Sequence, residues 1–131
     1  MEELTEKRVW QRVRGEGQLD RVRICLADQG PLLTAYRSFS RRGGHWRRLY
    51  EQKTEQVACF RGLVRVLTGQ GAARPGGGGL PDLMACFDRE RRLLQELTEL
   101  SRDPEFGPVF ALLLDRQRAI CRLALELLGT G

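Results

Sequence analysis

The sequence contains one histidine, His45, so histidine-based catalysis has a single candidate. His45 stands beside Trp46 at the predicted start of a helix, where a capping or surface role is typical. No Ser-His-Asp arrangement is visible, and the glycine run at 76–79 lacks the Lys-Ser/Thr pair of a P-loop. We therefore expect no catalytic residues and predict that the chain is not an enzyme.

Long hydrophobic runs are also absent. The longest apolar stretch covers residues 109–114, far short of the roughly 18 residues that suggest a membrane span. The start of the chain, MEELTEKR, lacks the apolar core of a signal peptide. We therefore expect a cytoplasmic protein with no membrane contact. A length of 131 residues, with 41% hydrophobic and 30% charged residues, fits one soluble globular domain.

The cysteines form no C-x-x-C pair, which argues against a zinc site of the usual spacing. They fall one to each predicted helix, at Cys25, Cys59, Cys86 and Cys121. We interpret them as small buried thiols in a reducing compartment.

Lysine is scarce, since only Lys7 and Lys53 are lysines among 22 basic residues, and the net charge is +5. Acidic residues are interleaved with the arginines, as in DRERR at 88–92, which is typical of a solvated helix face rather than a nucleic-acid track. We therefore do not expect nucleic-acid binding. One cluster is a candidate surface for a partner or an anion, with a plain solvated turn as the alternative. Its members are Arg41, Arg42, Trp46, Arg47 and Arg48.

Glycine and proline divide the chain into four predicted helices, and no segment shows the alternation of a β-strand. An N-terminal segment, 1–17, precedes one four-helix bundle domain, 18–131. The helices are predicted at about 18–42, 45–67, 81–101 and 103–128. Trp10 in the N-terminal segment requires an apolar surface, either on the bundle or on a partner, so a homodimer or a protein partner stays open. The predicted fold class is all-α.

The connector at about 70–81 bears on the topology. The second helix, of about 23 residues, is roughly 35 Å long, and about twelve extended residues reach roughly 40 Å. The connector is therefore long enough to cross the bundle and let the third helix run parallel to the second. The other two links are short and force antiparallel neighbours. We therefore favour two antiparallel hairpins joined by this crossover. The alternative is an up-down-up-down bundle in which the connector is a long, loose loop.

Each predicted helix carries an apolar stripe that polar residues interrupt at one level. In the second helix the stripe is formed by Leu49, Phe60, Leu63 and Leu67. Lys53 and Gln56 interrupt it, and the other three helices are interrupted at Gln29, Glu90 and Gln117. Residues near the middle of antiparallel helices meet at the same height, so these five side chains should converge.

On these positions the chain resembles the ferritin-like, rubrerythrin-type four-helix bundles. LADQGPLLTAYRSFSRR at 26–42 is similar to the first helix of small bacterial rubrerythrin-like proteins, and LYEQKTEQVACFRGLVRVLTG at 49–69 to the second. The resemblance covers about 18–128 and implies a ferritin-like bundle. It also implies a central di-iron site with a Glu from each of helices 1 and 3 and a Glu-x-x-His from each of helices 2 and 4.

The chain departs from this family at the ligand positions. The family pattern has glutamate at 29, 53 and 117 and histidine at 56 and 120. This chain has Gln29, Lys53, Gln56, Gln117 and Ile120 there, and only Glu90 is still a carboxylate. A lysine cation repels divalent metal, and amides are weak ligands. We therefore expect no metal or other cofactor and predict a non-catalytic structural or protein-interaction module.

Two interpretations of Lys53 stay open. It can point inward and pair with Glu90 while the three glutamines satisfy the remaining polar groups, or it can extend to the surface along its own stem. The alternative function is a rubrerythrin-like metal-binding oxidoreductase or iron-handling protein with unorthodox ligands around Glu90.

Overall fold

Four α-helices make up almost all of the computed structural model, which describes residues 17–69, 79–80 and 82–130. The helices are α1 (Gly17–Phe39), α2 (Gly44–Thr68), α3 (Leu83–Leu100) and α4 (Gly107–Thr130), with a 3-10 turn at Ser40–Arg42. No strand occurs in these ranges, which confirms the all-α prediction for the part described. None of the helices there combines the length and apolar character that crossing a membrane requires. The predicted N-terminal segment with Trp10 lies outside the described residues, apart from Gly17.

Local sequence signals explain where the helices begin and end. Gly69 adopts the left-handed conformation (φ 72°) and donates its N–H to the Arg65 carbonyl, which caps the C-terminus of α2. The Asp82 side chain caps α3 by accepting the Ala85 N–H at 2.8 Å. The fourth helix begins later than predicted. Asp103 instead holds a turn, because its Oδ1 accepts the N–H groups of residues 105 and 106.

The chain directions follow from contacts between the hairpins. Helix α1 packs on α2 and α3, and α4 packs on α3 and α2. Arg21, near the start of α1, pairs with Glu96 and Glu99, near the end of α3, at 2.8 and 2.6 Å. Later in α1, Asp28 lies 3.8 Å from Arg89, earlier in α3. Helices α1 and α3 are therefore antiparallel.

Since α2 is also antiparallel to α1, α2 and α3 run in the same direction. The end of α2 and the start of α3 lie at opposite ends of the bundle, so the up-down-up-down alternative is wrong. Most of the predicted crossover at 70–81 lies outside the described residues.

Over the residues that the structure describes, the core consists of two apolar clusters. One contains Val22, Cys25, Leu26, Val57, Phe60, Val64, Leu93, Leu97, Leu100, Phe110, Leu113 and Leu114. The other lies toward the α1–α2 turn and contains Leu32, Ala35, Tyr36, Leu49, Leu83, Cys86, Ile120, Leu123, Ala124 and Leu127. Between them, at mid-height of the bundle, the apolar stripes are interrupted. This interruption is the candidate site.

Candidate functional site

Five polar side chains meet at the centre of the bundle, between the two apolar clusters. Gln29 is 1% exposed, and Lys53, Gln56, Glu90 and Gln117 are 0% exposed. All four helices contribute, because each residue occupies a position on the inward stripe of its own helix. The structure thus brings together the five residues that the sequence singles out, and the interpretation that Lys53 extends to the surface is wrong.

The Lys53 ammonium is fully hydrogen-bonded. Its Nζ donates to Gln29 Oε1 at 2.7 Å, to Gln56 Oε1 at 2.6 Å and to Glu90 Oε1 at 2.8 Å. An ammonium group carries three N–H donors, so each donor has one acceptor. The contact with Glu90 is also an ion pair between two side chains that are completely buried. A complete donor set and a neighbouring carboxylate are what a buried cation requires.

Glu90 is surrounded by donors as well. Its Oε1 accepts from Lys53 and from Gln117 Nε2 at 3.0 Å, and its Oε2 accepts from the Tyr36 hydroxyl at 2.9 Å. Sequence reasoning missed Tyr36 as a site residue because its ring belongs to the apolar stripe of α1. The available signal was its hydroxyl, which an aromatic residue buried beside a carboxylate uses as a donor.

The three glutamine amides close the network. Gln29 Nε2 donates to the Cys25 carbonyl at 2.8 Å, Gln56 Nε2 to Gln117 Oε1 at 2.7 Å, and Gln117 Nε2 to the Glu90 carbonyl at 2.8 Å. The buried side-chain nitrogen and oxygen atoms of the cluster all have partners; among the described residues, the unpartnered one is Gln52 Oε1, outside the cluster. A network satisfied in this way rigidifies the core and specifies its packing.

Electrostatics at the centre favour protonated forms of the neighbouring acids. Burial lowers the pKa of Lys53, and the Glu90 charge acts in the opposite direction by stabilising the ammonium. Burial, reinforced by the Glu90 charge, raises the pKa of Tyr36 well above its ordinary value. Burial also raises the pKa of Cys86 to about 12 and that of Cys121 to about 11. The Tyr36 hydroxyl and the Cys86 and Cys121 thiols therefore stay protonated near neutral pH.

The donor set does not fit a di-iron centre. It contains one carboxylate, three amides and an ammonium, and Ile120 belongs to the adjacent apolar cluster. Both Glu90 oxygens already accept hydrogen bonds, and the amide oxygens of Gln29 and Gln56 face Lys53. Within the described ranges, no group of three or more His, Cys, Asp and Glu side chains is placed to hold a metal ion. Such a centre requires several carboxylates and imidazoles.

The arginines of the cluster predicted at the first turn are all exposed, and they differ in their surroundings. The Arg42 guanidinium stacks on Trp46, 4.6 Å from the ring centroid, and lies 5.3 Å from the Phe39 ring. Arg41 instead lines an open cleft, and Arg47 and Arg48 are exposed and are not part of its lining. Arg41 is thus the member of the predicted set that lines this cleft.

The cysteines differ in exposure, which corrects the prediction that all four are buried. Cys25 and Cys86 are buried and Cys121 is half-buried, whereas Cys59 is exposed. Cys59 lies away from the buried face of α2, which runs through Lys53, Gln56, residue 57 and Phe60.

This difference predicts the thiol chemistry of the folded protein. Burial raises the pKa of Cys25 to about 12, similar to that of Cys86, so neither forms a thiolate at pH 8. With Ellman's reagent at pH 8, we expect one fast-reacting thiol, Cys59, and the other three to react only on unfolding. Cys59→Ser should abolish the fast phase, and a fast phase that survives this substitution would contradict the prediction.

Comparisons with protein-family models, with curated proteins and with solved structures give no match. The rubrerythrin-type resemblance of the sequence therefore stays a prediction. Function has to be inferred from the central cluster and from the surface.

Proposed function

We propose that this chain is a ferritin-like bundle in which a buried Lys53–Glu90 ion pair has replaced a di-iron centre, and that it serves as a non-catalytic structural or protein-interaction module. The observation that carries the proposal is the full coordination of Lys53 Nζ by Gln29, Gln56 and Glu90. These residues stand at the positions where the family pattern has metal ligands. The ammonium provides the positive charge that metal ions provide in the relatives.

The helix arrangement supports the ferritin-like part of the proposal. Helices α2 and α3 run parallel although they follow one another in the chain, and both hairpins are antiparallel. A four-helix bundle with one long crossover connection has this topology.

The burial of the cluster supports a structural role. A catalytic site requires access for a substrate, whereas Lys53, Gln56, Glu90 and Gln117 are completely buried. The alternative, metal binding around Glu90, is less well supported because Lys53 and Tyr36 occupy both of its carboxylate oxygens. A buried, satisfied polar layer instead fixes which helix faces meet and at which height.

Restoring the family pattern tests the proposal. The five-fold variant Gln29→Glu, Lys53→Glu, Gln56→His, Gln117→Glu and Ile120→His adds three carboxylates and two imidazoles to the unchanged Glu90, so the site then has four carboxylates and two imidazoles. We expect this variant to bind about two equivalents of Co²⁺ per chain, because the ligand set then matches that of the di-metal bundles. Co²⁺ gives visible ligand-field bands, so binding is measured by absorbance titration and by the rise in melting temperature.

The matched control keeps Lys53 and carries the other four substitutions. Its ammonium still occupies the centre, so we expect at least about a ten-fold weaker affinity for Co²⁺ than in the five-fold variant. The unsubstituted protein should contain no stoichiometric iron or manganese by elemental analysis. A folded five-fold variant that binds no Co²⁺, or an unsubstituted protein that purifies with metal, would overturn the proposal.

A further inference from the structure

A second site lies on the surface, in an open cleft of about 510 Å³ beside the α1–α2 turn. Its volume is in the range of clefts that hold small molecules. It is lined by Thr34, Arg37, Ser38, Ser40, Arg41 and Tyr50. The lining thus combines two guanidinium groups, three aliphatic hydroxyls and one phenol, and it includes no carboxylate.

The two guanidinium groups are available to a ligand. Neither Arg37 nor Arg41 forms an ion pair with a carboxylate in the described ranges, unlike Arg21, which pairs with two glutamates. Arg42, the next residue, is stacked on Trp46 and is not part of the lining. Arginine forks bind phosphate oxygens in a bidentate manner. Two of them at one cleft match the charge of a phosphate dianion.

The hydroxyls divide into two groups. Thr34 Oγ1 donates to the Gly30 carbonyl at 3.1 Å, and Ser40 Oγ donates to the Arg37 carbonyl at 2.6 Å. These two hydroxyls are therefore already bonded to backbone carbonyls of α1. The hydroxyls of Ser38 and Tyr50 form no hydrogen bond with any described residue. The cleft therefore offers two guanidinium groups and two hydroxyl donors to an incoming oxyanion.

From this combination we infer that the cleft binds the phosphate group of a small soluble phosphate monoester. The site belongs to the surface of the first hairpin and does not depend on the central ion pair. The cleft differs from the candidate anion surface predicted from the sequence. Arg41 belongs to both, and Arg37 lines the cleft but was not predicted. The cleft lining does not include Arg42, Arg47 and Arg48.

The test compares two double variants that remove the same charge from the same end of the bundle. R37Q/R41Q removes both guanidinium groups of the cleft, and R47Q/R48Q removes two exposed arginines that do not line it. Glycerol 3-phosphate is titrated into each protein by calorimetry at constant ionic strength, with glycerol as the uncharged reference. Thermal melts verify that both variants fold.

We expect the unsubstituted protein and R47Q/R48Q to bind glycerol 3-phosphate with similar affinity, with a Kd of about 1 mM or tighter. R37Q/R41Q should bind at least about ten-fold more weakly, because charge-assisted hydrogen bonds are lost. Equal weakening in both variants would overturn the inference in favour of diffuse positive charge. Absence of binding to the unsubstituted protein at about 10 mM would also overturn it. The inference would also be overturned if the protein sediments with phosphatidic acid vesicles but does not bind glycerol 3-phosphate. The phosphate group that the cleft recognises would then belong to a lipid headgroup.

Discussion

Glu90→Gln is expected to lower the free energy of unfolding by about 3–5 kcal/mol at neutral pH, because it leaves the Lys53 ammonium buried without a countercharge. Glutamine has nearly the same shape as glutamate, so no cavity opens and the cost is electrostatic. The Tyr36 hydroxyl, which donates to Glu90 Oε2, can still find an acceptor in the new amide. The measurement is urea unfolding of the variant and of the unsubstituted protein at pH 7.

The double variant Glu90→Gln with Lys53→Met separates the ion pair from general damage to the core. Removing both charges removes the uncompensated cation, and replacing a buried pair by groups of similar size is often neutral. We therefore expect the double variant to recover more than half of the loss. Glu126→Gln, an exposed charge removal on α4, is the control and should change stability by no more than about 0.5 kcal/mol. A double variant no more stable than Glu90→Gln would show that the pair is not coupled.

Lys53→Met alone is expected to cost a similar amount, about 3–5 kcal/mol at pH 7.5. In this variant the buried Glu90 carboxylate has no countercharge, and Tyr36 and Gln117 are its remaining side-chain hydrogen-bond donors. Urea unfolding of this variant and of the unsubstituted protein at pH 7.5 measures the loss, and a change within about 0.5 kcal/mol would show that the ammonium does not stabilise the buried carboxylate.

Glu90→Gln should also make stability depend on pH. Burial lowers the pKa of Lys53 in the folded protein, and the substitution removes the carboxylate that opposes this shift. Between the lowered pKa of Lys53 in the folded variant and about 10.4 in the unfolded chain, the unfolded chain binds more protons than the folded one, so stability rises with pH over that range. Unfolding curves for Glu90→Gln at pH 5, 7.5 and 9.5 check this slope, and stability that falls as the pH rises would contradict the assignment of the buried cation.

The convergence of the central cluster was accessible from the sequence because it depends on periodicity alone. Gln29, Lys53, Gln56, Glu90 and Gln117 each interrupt an otherwise apolar stripe, and short links force each hairpin to be antiparallel. Two helix ends were accessible from local signals, since Gly69 caps the end of α2 and Asp82 caps the start of α3.

Other features depend on three-dimensional neighbours. The buried face of α2 turns toward residues 57 and 64 rather than toward Leu63, which is only partly buried, and Cys59 therefore reaches solvent. Arg42 and Arg41 are adjacent in the sequence, but one stacks on Trp46 and the other lines the cleft. No residue pattern distinguishes them, because the choice depends on which aromatic ring lies within reach.

The division of the two central charges between the hairpins has a consequence for self-association. The first hairpin, α1 with α2, carries Lys53, and the second, α3 with α4, carries Glu90. If two first hairpins packed face to face, two ammonium groups would be buried next to each other without a countercharge. If two second hairpins did so, two carboxylates would be buried together. Only a first hairpin packed on a second hairpin brings a buried ammonium together with a buried carboxylate. An exchange of hairpins between neighbouring chains is therefore restricted to first with second, and mixtures of separately expressed halves should reassemble in a one-to-one ratio.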